Sequence, residues 1–476
     1  MTFSDKNITQ EITQSLQDYL QATAIQGAAL AVLKDGQVFF STAKGFASSE
    51  DNCPMATSTL FGAGSITKTF TALVFLLLER EGFLSLQDPV SKFLPDVEQD
   101  VRYILSQENG EKFPLLVKHL LSHTSGIPEL GYTVSQLFRL CGVKEQGPYA
   151  PDDTSGLFSG LVKAAGIRYQ QPGKIFLYSN GNYVLLARIA ELVTGETFAE
   201  VVRKRILLPL GMKHSFIGFC KENHSTSCIT GYIPSASGSS PVPLSIPEAS
   251  YGPGGLVTNI DDLSRYLLFF LGNGKLNGKK STTYSQSLWK KITARDGIAG
   301  SSYGLGWFIQ ENIFSEALIY HGGDILFSGG ICALLPQHKA GIIMGQNAAG
   351  SPELLKFATN ILSLVLNKDE HSEKPACSTV LTANEITGVY KSHDQVYTIE
   401  AFFEHSVLKL RLMIPGSSEM PELSFTAFKT TESRAEFCPA TYPPSTKRNG
   451  CIFVRTGVQQ QVWLQYESYL LQKISY

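Results

Sequence analysis

The apolar run from Phe70 to Leu78 constrains the fold of this chain most strongly. Its nine residues, FTALVFLLL, are followed at once by the charged sequence Glu79 to Glu81. A helix that crosses a bilayer needs about twenty apolar residues, so this run is too short to span one. It predicts instead a helix over residues 65–80 that is apolar on most of its surface and therefore buried. The chain can supply the large core this requires, because 43% of its 476 residues are hydrophobic.

The charge balance limits the partners of the chain. Lys and Arg total 40 and Asp and Glu total 42, which gives a net charge of -2. This balance argues against a strongly basic nucleic-acid groove and against an acidic tail. We therefore expect a small-molecule or peptide partner and no nucleic acid.

The first twenty residues, MTFSDKNITQEITQSLQDYL, mix polar and charged side chains. They lack the basic stretch followed by an apolar stretch that marks an export signal. We therefore expect a cytoplasmic protein with no membrane partner. In that compartment the eight cysteines are expected to be reduced thiols. Cys438 and Cys451 could form a bridge if the protein were exported.

Hydrophobic spacing and turn residues predict a series of helices and strands before residue 368. The dipeptide Asp35-Gly36 predicts a hairpin turn. Asp261 or Asp262 is the expected N-cap of a helix that runs to Leu271. The short strand run KIFLY is expected to end at Tyr178. The other predicted elements are an amphipathic helix at 8–22, helices at 181–194, 198–208 and 352–366, and short strands with glycine turns over 301–346.

A shift in composition predicts two domains, at 1–368 and 381–476, joined by a polar linker at 369–380. Runs in the second domain, such as VYTIEAFF and SVLKLRLMI, are rich in strand-forming residues and are separated by turn signals. They predict a small antiparallel β domain, with a lipocalin-like barrel as the expected form.

The sequence FGAGSITKTFTALV places Ser65 and Lys68 three residues apart at the start of the buried helix. At this spacing both side chains lie on one helical face, so the amine can reach the hydroxyl. A serine hydroxyl needs a base to become a good nucleophile, and a lysine serves when desolvation lowers its pKa. The alternative is an ordinary N-cap serine beside a solvated lysine.

The Ser-x-x-Lys spacing is weak evidence by itself, because it occurs three times: Ser41/Lys44, Ser65/Lys68 and Ser287/Lys290. Ser41 falls in a predicted strand, where residues three apart point to opposite faces. Ser287 lacks a following apolar helix. Only Ser65 combines a glycine-rich turn with a buried helix.

Two further fragments carry candidate site residues. Tyr178 and Asn180 stand where the KIFLY run ends and a helix begins, where a tyrosine can share protons with Lys68 and an asparagine can orient an amide. The alternative for Asn180 is a helix cap behind a core tyrosine. His321 precedes two glycines, Gly322 and Gly323, whose backbone N–H groups can approach a ligand closely. The alternative there is a plain glycine turn with an exposed histidine.

Other His and Cys pairs are poor metal sites. His119 and His123 are four residues apart, but no third ligand accompanies them. Cys220, His224 and Cys228 lie in one predicted polar loop, but no fourth ligand completes a zinc site there. No phosphate loop or dinucleotide fingerprint is present, so we expect no metal and no cofactor.

The three fragments, in this order, resemble the motifs of serine β-lactamase and penicillin-binding-protein-like hydrolases. The likeness is strongest to the peptidase S12-like branch of class C β-lactamases, D-aminopeptidases and esterases. Further segments that resemble this branch are KHLLSHTSGIPEL (118–130), LLPLGMKHS (207–215) and YGPGGLVTNIDDLSRY (251–266).

The resemblance covers about residues 10 to 366. It implies an α/β (α+β) fold in which an antiparallel sheet is flanked by helices, with an all-helical lobe, so that 1–368 would be the catalytic domain.

The resemblance also implies roles for the candidate residues. Ser65 would be acylated, and Lys68 and Tyr178 would form the base and proton-shuttle network. Asn180 would hold the acyl-side amide of the substrate. His321 would replace the lysine common in β-lactamases, next to Gly323. The backbone N–H groups of Ser65 and Asp324 would form the oxyanion hole.

A histidine is a weaker anchor than lysine for a substrate carboxylate, since it is often neutral near pH 7. This departure at His321 favours a peptidase, amidase or esterase over a true β-lactamase. The expected substrates are D-amino-acid-containing peptides or small esters. Two alternatives stay open: a penicillin-binding-protein-type thioesterase that releases or cyclises a nonribosomal peptide, and a non-catalytic binding module. A homo-oligomer is possible.

Overall fold

The computed structural model describes most of the chain. The described residues are 3–98, 101–103, 113–127, 129, 167–168, 171–174, 176–218, 228–235, 238–242, 251–272, 275–276, 279–280, 282–293, 303–314, 316–325, 327–348, 352–368, 382–392, 398–404, 407–413, 422–431, 434–439, 451–455, 462–466 and 469–475. The predicted linker at 369–380 lies outside them.

Helices occur mainly in the first 366 residues. The α-helices are α1 (Phe3–Thr23), α2 (Thr67–Glu81), α3 (Val117–Leu121), α4 (Asn180–Thr194), α5 (Phe198–Val202), α6 (Leu208–Leu210), α7 (Tyr251–Gly254), α8 (Ile260–Phe270), α9 (Thr282–Ile292), α10 (Pro352–Leu366) and α11 (Ala383–Ile386). Short 3₁₀ turns cover Gly64–Ile66, Val90–Lys92 and Pro95–Glu98, and a π turn covers Arg203–Leu207.

Strands occur along the whole chain. They are β1 (Gly27–Lys34), β2 (Gln37–Ser48), β3 (Cys53–Pro54), β4 (Phe61–Gly62), β5 (Arg102–Tyr103), β6 (Ile167–Arg168), β7 (Phe216–Ile217), β8 (Gly231–Ser235), β9 (Gly238–Val242), β10 (Leu256–Thr258), β11 (Lys275–Leu276), β12 (Lys279–Lys280), β13 (Phe308–Ile313), β14 (Glu316–Asp324), β15 (Gly329–Leu335), β16 (Ala340–Gln346), β17 (Gly388–Ser392), β18 (Thr398–Glu404), β19 (Val407–Met413), β20 (Glu422–Thr431), β21 (Arg434–Pro439), β22 (Cys451–Arg455), β23 (Val462–Tyr466) and β24 (Tyr469–Ser475).

A seven-stranded antiparallel sheet in the order β13-β14-β15-β16-β1-β2-β3 forms the centre of the first 366 residues. Successive side chains of a strand point to opposite faces of the sheet. In the middle strands the side chains on both faces are buried. In β1, Ala29, Ala31 and Leu33 pack into one hydrophobic cluster with α2, while Leu30 and Val32 pack into the other with α1 and α10. Helices therefore cover both faces of an antiparallel sheet, which confirms the predicted α/β class.

Several predicted elements are confirmed. The helices at 8–22, 65–80, 181–194 and 352–366 correspond to α1, the 3₁₀ turn with α2, α4 and α10. Asp35 and Gly36 both have positive φ (53° and 69°) in the turn that joins β1 to β2. That geometry is the one that favours a two-residue hairpin.

Three local predictions are wrong. Asn259 caps α8 by accepting the backbone N–H of Asp262 at 2.8 Å, so neither Asp261 nor Asp262 is the cap. The carboxylate of Asp262 instead accepts the N–H of His214. The described residues of KIFLY, 174 and 176–178, belong to no strand. The helix expected to end before Pro209 continues to Leu210, since proline fits the first turn of a new helical segment.

The C-terminal strands form a separate sheet. Each strand from β17 to β23 pairs antiparallel with the next, and β24 pairs with β17, so the sheet closes on itself. Inward-facing residues such as Tyr390, Ile399 and Leu410 are buried. The expected antiparallel β structure after residue 381 is confirmed, and the domain boundary itself stays a prediction.

A disulfide at Cys228 departs from the reduced thiols expected for a cytoplasmic protein. Cys53 and Cys332 are free thiols, and burial raises the pKa of the Cys332 thiol. Within the described ranges, no helix combines the length and the apolar character that a bilayer crossing requires.

Candidate active site

Ser65 lies in the 3₁₀ turn that leads into α2, and it is half-buried. The turn is fixed by Thr67, whose hydroxyl donates to the Gly64 carbonyl at 2.6 Å and accepts the Leu256 N–H at 3.0 Å. Gly64 has φ of +51°, a conformation that glycine adopts without strain. The side chain of Ser65 is thus presented at the N-terminal end of a buried helix.

Lys68 is fully buried one turn further along α2. Its Nζ lies 3.0 Å from Ser65 Oγ, 2.7 Å from Asn180 Oδ1 and 2.9 Å from the Pro253 carbonyl oxygen. Three short contacts around one nitrogen define its orientation, since Nζ is tetrahedral.

Two of these neighbours, the Asn180 and Pro253 oxygens, can only accept hydrogen bonds. In the neutral amine they take both N–H groups of Lys68. The remaining position, which holds the lone pair, faces Ser65 Oγ at 3.0 Å. A neutral Lys68 is therefore placed to receive the Ser65 proton.

Tyr178 lies near Lys68, in the irregular segment before α4. The Lys68 nitrogen is 4.9 Å from the centre of the Tyr178 ring. The buried ring of His123 packs against Tyr178, with 4.2 Å between ring centres. His123 also holds the tyrosine's backbone, because its carbonyl accepts the Leu177 N–H at 2.8 Å and its Nδ1 accepts the Ser179 N–H at 3.1 Å.

His123 has φ of +56°, and burial holds the pKa of its imidazole well below the usual value, with Lys68 and His321 adding to the effect. The imidazole is therefore neutral near pH 7.

Asn180 begins α4, and its amide is oriented by a buried carboxylate, Glu129. Glu129 accepts the backbone N–H of Asn180 at 2.6 Å and the side-chain Nδ2 at 3.2 Å. Because a carboxylate attracts the NH₂ end of the amide, Oδ1 is turned toward Lys68. Burial raises the pKa of Glu129, although its bonds to Asn180 and the nearby Lys68 act in the opposite direction.

His321 lies within β14 on the sheet side of the site and is fully buried. Its Nδ1 lies 2.6 Å from the Gly322 carbonyl, an acceptor, so Nδ1 carries a hydrogen. Its Nε2 lies 3.0 Å from the Tyr303 hydroxyl. Both ring nitrogens are thus engaged within the fold, and the alternative of a plain glycine turn with an exposed histidine is excluded because His321 is buried within a strand.

The end of β14 lies in backbone contact with the turn that carries Ser65. A Cβ atom at Gly323 would stand 1.8 Å from the Ala63 carbonyl oxygen. A Cβ atom at Gly64 would stand 2.5 Å from the Asp324 nitrogen. Glycine at both positions allows the end of β14 and the turn at Ala63 and Gly64 to approach each other this closely, while the Asp324 side chain is exposed.

The structure therefore brings together all the residues that the sequence singled out for the site: Ser65, Lys68, Tyr178, Asn180, His321, Gly323 and Asp324. Sequence reasoning missed Glu129, the Pro253 carbonyl and Tyr303. Glu129 and Pro253 lie in the segments 118–130 and 251–266, which the motif comparison had already marked. Glu129 is separated from Asn180 by 51 residues, and no spacing rule connects them.

His119 and His123, the two histidines considered as a metal-binding pair, have structural roles instead. His119 Nδ1 accepts the Leu116 N–H at 3.1 Å, so this histidine caps α3. Cys220 and His224 lie outside the described residues. Among the residues that the structure describes, no three His, Cys, Asp or Glu side chains are grouped as metal ligands would be.

Comparison with known proteins gives the same span as the motifs. The model of the Beta-lactamase family matches residues 12–365. Protein flp of Staphylococcus aureus (strain MW2) is 27% identical over 399 residues, which cover 82% of this chain and 71% of that protein.

Two solved structures extend over nearly the whole chain. The octameric penicillin-binding protein homologue from Pyrococcus abyssi superposes with a TM-score of 0.66 at 27% identity, covering 97% of this chain and 99% of that one. SurE, solved with D-Leu, superposes with a TM-score of 0.66 at 18% identity and covers 98% and 100%. The second likeness is one of fold.

Proposed function

Since the chain belongs to the Beta-lactamase family, we propose that it is a serine hydrolase that cleaves amide or ester bonds through an acyl-Ser65 intermediate. The observation that carries this proposal is the position of the Lys68 nitrogen, 3.0 Å from Ser65 Oγ with its other two neighbours acting as acceptors. Such a buried amine acts as a general base toward the serine.

Acylation transfers the substrate's acyl group to Ser65. Ser65 Oγ forms a bond to the carbonyl carbon while its proton passes to Lys68 Nζ. The carbonyl becomes an oxyanion between the backbone N–H groups of Ser65 and Asp324, where each donor contributes roughly 3–4 kcal/mol to transition-state stabilisation. When the C–N or C–O bond breaks, the leaving amine or alcohol receives a proton from Lys68, with Tyr178 as the relay.

Deacylation uses water as the acceptor. A water oxygen attacks the acyl carbon and gives a proton to the Tyr178 and Lys68 network. The bond to Ser65 Oγ then breaks, Ser65 Oγ receives that proton, and a carboxylic acid is released. Asn180 holds the acyl-side amide of the substrate during both steps. Its remaining hydrogen-bonding capacity is limited, because Lys68 and Glu129 already engage its side chain.

The substrate class follows from His321. Both of its ring nitrogens are engaged, by Tyr303 and by the Gly322 carbonyl, so the imidazole is a poor anchor for a substrate carboxylate. The enzyme is therefore a peptidase, amidase or esterase that prefers a substrate without a free carboxylate on the leaving side. D-aminoacyl amides belong in the test panel, since SurE was solved with D-Leu.

Domain organisation and oligomeric state belong to the same proposal. Residues 1–368 form the catalytic domain and 381–476 a separate β domain, in agreement with the family match at 12–365. The chain forms a homo-oligomer, as the P. abyssi homologue does.

The disulfide at Cys228 bears on the location of the protein. Disulfides are typical of an oxidising compartment, so this one stands against the cytoplasmic location expected from the first twenty residues. Thiol alkylation of the protein in its native cells separates the two locations.

A substrate panel tests the function. Purified protein and Ser65→Ala are incubated with p-nitrophenyl acetate, with D- and L-leucyl p-nitroanilide, and with peptide pairs that end in a carboxylate or a carboxamide. We expect turnover by the wild type alone, with the carboxamide preferred. Turnover that survives in Ser65→Ala contradicts acyl-serine chemistry. A cyclic product from a linear peptidyl thioester would identify aminolysis as the main reaction.

A further inference from the structure

The buried carboxylate of Glu129 has no role in the chemistry described so far. It is 5% exposed and lies in the loop after α3, beside the start of α4. A carboxylate in such a position is costly unless its oxygens are hydrogen-bonded. Here both oxygens accept from Asn180, at 2.6 Å from the backbone N–H and 3.2 Å from Nδ2, and the Ser179 side chain adds a third bond.

These bonds select one of the two orientations of the Asn180 amide. The NH₂ end faces Glu129, and the Oδ1 end faces Lys68 at 2.7 Å. In the reversed orientation, NH₂ would meet the Lys68 nitrogen. It would then donate to the lone pair of a neutral Lys68, which would no longer be directed at Ser65 Oγ.

We propose that Glu129 is a positioning residue that fixes the Asn180 amide and thereby directs the Lys68 lone pair at Ser65, an assignment that rests on the acyl-serine chemistry proposed above. Glu129 touches neither the nucleophile nor the base. It acts through the Asn180 side chain, which is hydrogen-bonded to both Glu129 and Lys68.

Other titratable groups also face Lys68 and set the background for this effect. Tyr178 and Tyr183 present their rings at 4.9 and 5.6 Å from its nitrogen. His123 and His321 lie against the Tyr178 ring, with ring centres 4.2 and 6.3 Å from it, and His123 interacts electrostatically with Lys68. Glu129 is the only carboxylate among these groups. Its replacement by a neutral side chain therefore removes a negative charge near Lys68, which replacement of a neutral tyrosine or histidine does not.

The variant Glu129→Gln tests this role. Its carbonyl oxygen can still accept the short bond from the Asn180 backbone, but its NH₂ then opposes Asn180 Nδ2 and favours the reversed amide. We expect acylation of Ser65 to slow by about tenfold or more. In an Asn180→Ala background the same substitution should change acylation by less than about twofold, because the side chain that transmits the effect is gone.

A measurement that does not depend on activity follows the titration of Lys68 itself. With [ε-¹³C]lysine in the protein, the Lys68 signal is identified by its loss in Lys68→Arg. Glu129→Gln should lower the Lys68 pKa by about one unit or more, since a carboxylate and an amide oxygen both favour the ammonium form.

Glu316→Gln is the matched control. Glu316 is a buried glutamate at the start of β14, where it accepts two backbone N–H groups, from Gln337 and His338. The substitution should lower stability without moving the Lys68 titration or the acylation rate.

Three outcomes decide the proposal. An unchanged Lys68 titration in Glu129→Gln overturns the positioning role, as does an equal loss of acylation in the Asn180→Ala background. If the wild type forms no acyl-enzyme, the proposed function fails and the Lys68 titration alone decides the role of Glu129.

Discussion

The Asp324 nitrogen lies 2.5 Å from the position that a Cβ atom on Gly64 would occupy. Strand β14 and the Ser65 turn therefore meet backbone to backbone. Gly64→Ala should push them apart and misplace the two N–H groups that would hold the oxyanion. We expect the acylation rate to fall by about a hundredfold or more, the order of effect seen when one oxyanion donor is lost. Stopped-flow acylation with p-nitrophenyl acetate measures it.

Gly82→Ala is the control for backbone strain. Gly82 has φ of +82° at the end of α2, and no atom of the described residues lies within 4 Å of the position that a Cβ atom on it would occupy. This substitution should cost about 1 kcal/mol of stability and leave acylation unchanged. Equal acylation rates in the two variants would contradict the role of the close contact.

Removal of Lys68 should abolish most of the activity. Lys68→Ala deletes an amine that lies 3.0 Å from Ser65 Oγ, and we expect acylation to slow at least about a hundredfold, as loss of a general base does. Lys291→Ala is the control, since Lys291 is an exposed lysine bonded to Glu79 at 2.8 Å. Acylation of Lys68→Ala within about threefold of the wild type would sink the general-base role.

The buried hydroxyl of Thr67 should matter for both stability and activity. Thr67→Val leaves the Gly64 carbonyl and the Leu256 N–H without their hydroxyl partner. We expect a loss of about 1–3 kcal/mol in the free energy of unfolding, because both groups are buried. Acylation should also slow, since this hydroxyl fixes the Ser65 turn. Urea denaturation and stopped-flow acylation measure the two effects. Thr13→Val is the control, since Thr13 is a half-buried threonine in α1 whose hydroxyl donates to the Thr9 carbonyl at 2.8 Å.

His123 predicts a dependence of stability on pH. Burial depresses the pKa of its imidazole in the folded protein, whereas the unfolded chain binds a proton near pH 6.5. Stability is thus fully present above pH 6.5 and is lost as the pH falls toward the depressed folded value. The slope from this group is about 1.4 kcal/mol per pH unit.

His123→Asn removes that titration and keeps an acceptor near the Nδ1 position, and asparagine tolerates the positive φ found there. Urea denaturation between pH 7 and pH 5 should show a shallower decline for the variant than for the wild type. Parallel declines would mean that His123 is not held neutral in the folded protein.

The sequence allowed prediction of those features that local spacing determines. Ser65 and Lys68 are three residues apart where the 3₁₀ turn leads into α2, and Tyr178 and Asn180 lie at one helix start, so their pairing is visible along the chain. The Asp35-Gly36 hairpin is local for the same reason.

Features that depend on contacts distant in sequence escaped prediction. Glu129 meets Asn180 across 51 residues of sequence, where the loop after α3 reaches the start of α4. The cap of α8 was misassigned among three neighbouring polar residues, because Asn259, Asp261 and Asp262 all have side chains that suit a helix start. The buried Asp262 carboxylate is instead used by His214 and Ser215.

Peptide mapping after treatment with a fluorophosphonate probe tests the central claim most directly. The probe bonds covalently to a serine only when its hydroxyl is activated. We predict a single modified peptide that carries the probe on Ser65, with labelling lost in Ser65→Ala and strongly slowed in Lys68→Ala. Labelling of another serine, or no labelling of the folded wild type, would contradict the account.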